Sequence, residues 1–308
     1  MLNYIIRRLI GAVPVILGVV AVVFILTTIV PGDPARLMVG QRGNPETIAK
    51  IRHEMGLDRP VMVQFVDFMK DALTFNLGRS YRNNMPVVQA ILTRLPVTIK
   101  LAIFSMIIAV IIGVPLGIIS AVKRYTWMDY SAMIFAILGI SAPVFWVGLL
   151  AVVLFCKVLG WIPGTGLGNG ELIYYVLPSI VLGVRPGALI ARLTRSSMLE
   201  TIRQDYIRTA RAKGLAESIV IMKHALRNAM IPVVTVIGIE TANLLSGVVV
   251  TEQIFSMPGL GRLSVEALLN RDFPVIRGTV LFMALLFVLA NIIVDLSYPF
   301  FDPRIKYD

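Results

Sequence analysis

Four stretches of this chain carry no charge for the length of a bilayer crossing. Residues 11–30, 101–122, 130–156 and 278–294 contain no Asp, Glu, Lys or Arg, and a fifth run, 229–251, contains only Glu240. A helix needs about 20 apolar residues to cross the hydrocarbon core. There, backbone N–H and C=O groups must find partners without water, which leaves helices as the natural form for single apolar runs. A weaker run, 172–191, is interrupted by Pro178 and by Arg185-Pro186 and reads as a broken span. The expectation is an all-α membrane protein with about six transmembrane helices. Composition agrees, since a chain of 308 residues that is 57% hydrophobic and 15% charged has little polar surface to show to water. The first run exceeds the apolar region of a signal peptide, about 7–15 residues, and no small-residue cleavage site follows it. It reads as an uncleaved span.

The placement of charge orients these spans. Short cytoplasmic loops are enriched in Lys and Arg. With the N-terminus inside, the cytoplasmic pieces are 1–10, 123–129, 192–228 and 295–308, and they hold 14 of the 29 basic residues. The outer loops are balanced, with Lys157 against Glu171, and Arg262, Arg271 and Arg277 against Glu252, Glu266 and Asp272. Both termini are therefore expected in the cytoplasm. The organisation reads as an N-terminal tail and first span over 1–30, an extracytoplasmic segment over 31–97, and a transmembrane core over 98–308. A cytoplasmic loop at 198–229 lies within that core. The net charge of +11 would suggest nucleic acid in a soluble protein, but here it sits on the membrane's inner face, so lipid and not nucleic acid is the expected contact. One cysteine, Cys156, and two distant histidines, His53 and His224, exclude an internal disulfide and argue against a Cys/His metal site.

The extracytoplasmic segment opens on Pro31-Gly-Asp-Pro34, a pattern that turns the chain. Further on, Met62, Phe65, Val66 and Met69 share one helical face. This reads as a small folded element, serving as a structural cap over the first span or in binding.

The most charged loop is the most informative. Residues 205–232, DYIRTARAKGLAESIVIMKHALRNAMIP, carry five basic residues. Beyond Gly214, the residues Leu215, Ile219, Met222 and Leu226 recur at helical spacing, with Glu217, Lys223, His224 and Arg227 around the rest. A glycine at 214 permits a tight turn or a close approach. Such a helix has a basic side and an apolar face, and two partners would satisfy it: anionic headgroups, or a groove on a soluble protein.

That stretch resembles the ATPase-docking cytoplasmic loop of binding-protein-dependent ABC import permeases, and more narrowly their dipeptide/oligopeptide branch. The match runs from Asp205 to Thr235. The resemblance extends to MLNYIIRRL at the N-terminus, PGDPARL at 31–37, VVTEQIFSMPGLGRL at 249–263, RDFPVI at 271–276 and DPRIKY at 302–307. It thus covers nearly the whole chain in order. One departure stands out. The wider family has Glu-Ala-Ala beginning six residues before the loop glycine, where this chain has Arg208, Thr209 and Ala210. Only Ala210 and Gly214 match, so no glutamate contact carries over, and Arg208 and Arg211 are left to meet acidic groups on a partner. The resemblance implies an ATPase-docking set of Arg208, Ala210, Arg211, Lys213, Gly214, Leu215, Ile219 and Met222. It implies a second homologous permease, two ATP-binding subunits that hold ATP and Mg, and an extracytoplasmic peptide-binding protein. The expected location is a bacterial inner membrane, and no cofactor is expected on this chain.

Other residues stand out on their own chemistry. An ionisable group inside a span is costly and points to function. Glu240, Asn243 and Ser246 follow one another at spacings of three and could line a path or join two subunits. Arg185 could pair with Glu240 or reach an interface. In the outer loop 252–277, Phe255, Met257, Pro258 and Gly259 form a turn that could touch a docked binding protein, gate the pathway, or simply re-enter the fold. Gly113 and Gly117 have the spacing of a close helix contact.

There is no G-x-x-x-x-G-K-[ST] segment, so the chain is not itself the ATPase. An intramembrane protease would need H-E-x-x-H, a serine with a base in the membrane, or paired aspartates within spans. Both histidines lie outside the spans, and Asp129 and Asp295 sit at span edges. A stand-alone secondary carrier would be expected to show an inverted repeat. The function implied is the permease subunit of an ATP-driven importer of short peptides, with glutathione or a nickel complex as the alternative cargo.

Overall fold

The structure is a computed structural model and describes residues 2–29, 35, 44–54 and 56–301. The expected Pro31–Pro34 turn and the segment 302–307 lie outside the described residues. Thirteen helices are described, and no strand is found among the described residues: α1 Leu2–Ile29, α2 Pro45–Glu54, α3 Val61–Leu73, α4 Val87–Val122, α5 Trp127–Ser141, α6 Val144–Ala151, α7 Ile173–Ile202, α8 Asp205–Ala212, α9 Glu217–Ile219, α10 Leu226–Gly247, α11 Val249–Ile254, α12 Leu260–Leu269 and α13 Phe273–Phe301. π-helical turns at Val152–Val158 and Val220–Ala225 extend α6 and join α9 to α10. Among the described residues, four helices are long and apolar enough to cross a membrane, within Val87–Val122, Ile173–Ile202, Glu217–Leu245 and Phe273–Val294. The pair Trp127–Ser141 and Val144–Val158 makes a fifth if counted as one bent span, and α1 carries a shorter apolar stretch, Ile10–Leu26.

The prolines act in places the sequence did not suggest. The run 172–191, expected to be broken, is one unbroken helix with Pro178 and Pro186 inside it. Each proline removes a backbone donor, at about 3 kcal/mol or more in a helix interior. In a membrane, neighbouring helices can make this up, and both prolines are buried. The break falls instead within 130–156, where α5 and α6 meet at 103°. Ala142, directly before Pro143, is extended at φ −72°, ψ 127°, as the residue preceding a proline prefers.

The chain divides into two compact units. The first is Met1–Thr98 with Pro258–Leu289, and the second is Ile99–Met257 with Ala290–Asp308. In the first, Val87, Ile91, Leu260, Leu263, Ala267 and Val275 form the core. Thr98 Oγ1 accepts a hydrogen bond from Leu260 N at 2.9 Å, which satisfies a donor at the start of α12. α3 packs on α1 through Phe65 and Phe68, whose rings lie 5.3 and 5.8 Å from that of Phe24. The face expected from sequence is therefore split: Phe65 turns to α1, whereas Met62 and Val66 are exposed.

In the second unit, α4 and α7 approach through glycine. A methyl group on Gly113 would fall 2.5 Å from the Gly187 carbonyl oxygen, and one on Gly117 would fall 2.5 Å from Thr194 Cβ. From the opposite side, a methyl on Gly183 would meet the Ser105 carbonyl oxygen at 2.7 Å. Gly113 thus meets Gly187, while Gly117 lies against Ala191 and Thr194, and Gly183 against Ser105. This is the packing a membrane favours, where apolar side chains gain little from leaving lipid and close backbone contact holds helices together.

Candidate functional site

The basic loop is a folded module. α8 is capped by Lys213, and Gly214 follows at φ +75°, its N–H bonding the Arg211 carbonyl at 2.9 Å. That left-handed residue ends the helix in the way glycine does best. Arg211 then reaches over the turn to Glu217, with Nε–Oε2 at 3.0 Å and Nη2–Oε1 at 2.6 Å. This fork-to-carboxylate pair fixes the angle between α8 and α9.

Burial sorts the module's residues into two faces. Ile207, Ala210, Val220, Ala225 and Ala229 pack with Met198 of α7 and Ala121 of α4. On the opposite side Leu215, Ile219 and Met222 are 39%, 44% and 56% exposed. Of the eight residues read as the docking set, Ala210 is thus turned into the fold, whereas Arg208, Arg211, Lys213 and Gly214 lie on the surface with the apolar strip. Arg208 pairs with Asp205 at 3.3 Å. Nothing lies within 4 Å of where a side chain on Gly214 would begin.

A second constellation was not visible in the sequence. Asp129, in the first turn of α5, is 1% exposed. Its Oδ1 accepts Arg195 Nε at 2.7 Å, and its Oδ2 accepts Arg195 Nη2 at 2.8 Å and Tyr125 N at 3.0 Å. Ser120 Oγ donates to Oδ1 as well. One carboxylate thus joins the end of α4, the turn after it, α5 and α7. Asp129 looked like a residue at a span edge, and Arg195 like one basic residue among eight. The only local signal was a lone acid in a first helical turn opposite an apolar run, since 66 residues separate the partners.

The remaining candidates are placed as follows. Asn243 Nδ2 lies 3.4 Å from Glu240 Oε1, so these two come together on α10. The Ser246 side chain lies outside the description. Arg185 is exposed, and no ion pair joins it to Glu240 among the described residues. Phe255 and Met257 are 3% and 0% exposed. The Phe255 carbonyl accepts Gly166 N at 2.7 Å, and Met257 N donates to the Glu252 carbonyl at 2.8 Å. Gly259 is buried and Pro258 half-buried. The turn is thus built into the fold, and a contact with a partner would have to come from its neighbours. Among the described residues, no three His, Cys, Asp or Glu side chains are grouped to hold a metal.

Comparison with known proteins gives a consistent answer. Residues 113–307 match the family model described as the binding-protein-dependent transport system inner membrane component, and residues 1–102 match the model for its N-terminal part. The dipeptide transport system permease protein DppB of Alkalihalophilus pseudofirmus is 44% identical, with all of both chains covered. A putative peptide transport system permease protein of Brucella abortus is 46% identical over 99% of each. The glutathione transport system permease protein GsiC of Pectobacterium atrosepticum is 44% identical over the whole of both. Among solved structures, an inward-facing MetNI methionine ABC transporter aligns with TM-score 0.57 at 18% identity, covering 70% of this chain and 98% of that one. At that identity the likeness speaks for the fold.

Proposed function

Since the chain belongs to the family of binding-protein-dependent transport system inner membrane components, we propose that it carries short peptides across that membrane together with a second, homologous permease. The chain is a permease subunit of an ABC importer in the inner membrane, a transport component whose ATPase is a separate subunit. Peptide as cargo is supported by the full-length likeness to permeases named for dipeptide and peptide transport. Glutathione, itself a short peptide with free carboxylates, is the second reading, favoured by the equally complete likeness to a glutathione permease.

In the proposed assembly, two ATP-binding subunits hold ATP and Mg, and an extracytoplasmic binding protein delivers the peptide. Six spans cross the membrane: α1, the bent α5–α6 pair and the four long helices. Both termini and the 198–229 module then lie in the cytoplasm. The observation that carries the docking reading is the exposed strip Leu215, Ile219 and Met222 beside the Gly214 turn. An apolar strip rimmed by basic residues suits a groove on a soluble subunit. Glu240 and Asn243 are the proposed path-lining pair, and Arg185 lines the same path or an interface.

The experiment is uptake of labelled dialanine, trialanine and glutathione by cells that carry the intact system or a Gly214→Glu variant. The wild type should take up the short peptides. The variant, with a charged side chain at an open left-handed position, should insert normally and transport nothing. Normal transport by the variant would refute docking at this surface. Uptake of glutathione alone would select the second reading.

A further inference from the structure

Within the first unit, α1, the end of α3 and α13 surround a cavity of about 210 Å³. Ile16, Val19 and Val20 of α1 form one wall, Leu285 and its neighbours on α13 a second, and Leu73 and Phe75 a third. All twelve lining residues carry hydrocarbon side chains. Water needs two to four polar partners to stay in a cavity, and an apolar cavity of about 150 Å³ stays dry and takes a hydrocarbon instead. Left empty, these walls would forfeit the dispersion contacts of close packing.

The depth of the cavity decides what fills it. Ile16 stands five residues from the inner end of the uncharged run 11–30, and Val288 stands six from the inner end of 278–294. Leu281, at the other limit of the α13 wall, is three residues from the outer end of its run. The two helices thus place the cavity independently at the same level, inside the hydrocarbon core. From Leu281 to Val288 the wall rises about 10 Å. α3 meets α1 higher up, where Phe65 and Phe68 touch Phe24, and its end comes down to the level of Val20 and Ile16. Leu73 and Phe75 are 66% and 53% exposed, so the cavity opens beside them, on the side of the outer leaflet. Phe75 holds a φ of +55° at this mouth, a conformation uncommon for a bulky residue. Leu17 beside Ile16, and Leu289 beside Val288, are exposed. The lipid-facing surface of both helices therefore begins at the cavity's edge.

We propose that this cavity is a binding site for one acyl chain of an outer-leaflet phospholipid, held between α1 and α13 with Leu73 and Phe75 at its mouth. The site takes from the proposed topology only that α1 and α13 cross the membrane, and it is indifferent to the cargo. The bound chain fills the gap as a side chain would, and joins the end of α3 to both spans.

The test uses the assembled transporter extracted from its membrane in mild detergent. Native mass spectrometry should find phospholipid that survives extraction. Ala284→Phe and Ala72→Leu, which both fill the cavity, should each retain one phospholipid fewer than the wild type. Gly18→Leu, at the same depth on α1 but with nothing within 4 Å of its Cβ position, should retain the wild-type number. Benzoylphenylalanine in place of Phe75 identifies the occupant without filling the site. Illumination in the membrane should join it to a phospholipid, and Ala284→Phe in that background should lower the yield at least tenfold. Equal lipid retention in the wild type and the filled variants would overturn the site. So would no lipid adduct, or an adduct with the second permease or a peptide in its place. Uptake of trialanine by the same cells reads the permease function separately, so that reading stands or falls on its own.

Discussion

Replacing Asp129 by asparagine should leave the Arg195 guanidinium facing a neutral amide that can accept at one oxygen only. Breaking a buried pair from one side costs about 3–5 kcal/mol. Arg195 keeps 25% of its side chain exposed, so a loss on the order of 2 kcal/mol is expected, read as a Tm several degrees lower in detergent. Changing both partners to apolar residues of similar volume should recover part of that loss, because no orphaned charge then remains. An unchanged Tm in Asp129→Asn would show that the pair contributes nothing. Residues of this kind are the least legible in a sequence. The Gly214 turn could be read locally, because a glycine between two helical patterns has few other uses. Asp129 and Arg195 meet only because α5 and α7 pack, and neither carries a local sign of the other. Ala210 was read as part of a surface from its place in a motif, but its helical phase with Ile207 turns it inward.

The packing of whole helices is set by small residues. Gly117→Leu should drive a side chain into Thr194 and the Ala191 carbonyl, which already lie 2.5 and 2.6 Å from the site of a Cβ. Overpacking of this sort costs about 1–3 kcal/mol, and here backbone would have to move, so a poorly assembled or much less stable protein is expected. Gly18→Ala, with nothing within 4 Å, should leave thermal stability unchanged or slightly raised. Equal melting curves for the two variants would show that the α4–α7 approach is not tight. Four of the six expected runs were legible as helices long enough to cross, because length without charge has one main outcome in a bilayer. Their breaks were not. Pro178 and Pro186 stay within one unbroken helix, while Pro143 turns the chain. The difference lies in the neighbours, since α7 is pressed against α4 on one side and α5 on the other, and no local propensity records that.

At the scale of the molecule, the chain is one part of a machine driven from outside it. Leu215→Asp combined with Met222→Asp should abolish co-purification of the ATP-binding subunits while leaving helical content and membrane insertion intact, since both side chains point away from the core. Retention of the ATPases by this variant would move the docking surface elsewhere. From this surface, Glu217 to Leu245 runs as one helical rod, interrupted in its winding by the π-helical turn at Val220–Ala225. Each α-helical residue advances about 1.5 Å and 100°, and a π-helical turn shifts that count by a residue. The turn therefore acts as a keyed coupling on a drive shaft. If the apolar strip is where the ATPase pushes, the turn sets the compass bearing at which that push arrives at Glu240, and the number of residues in it, more than their chemistry, governs the direction of the stroke.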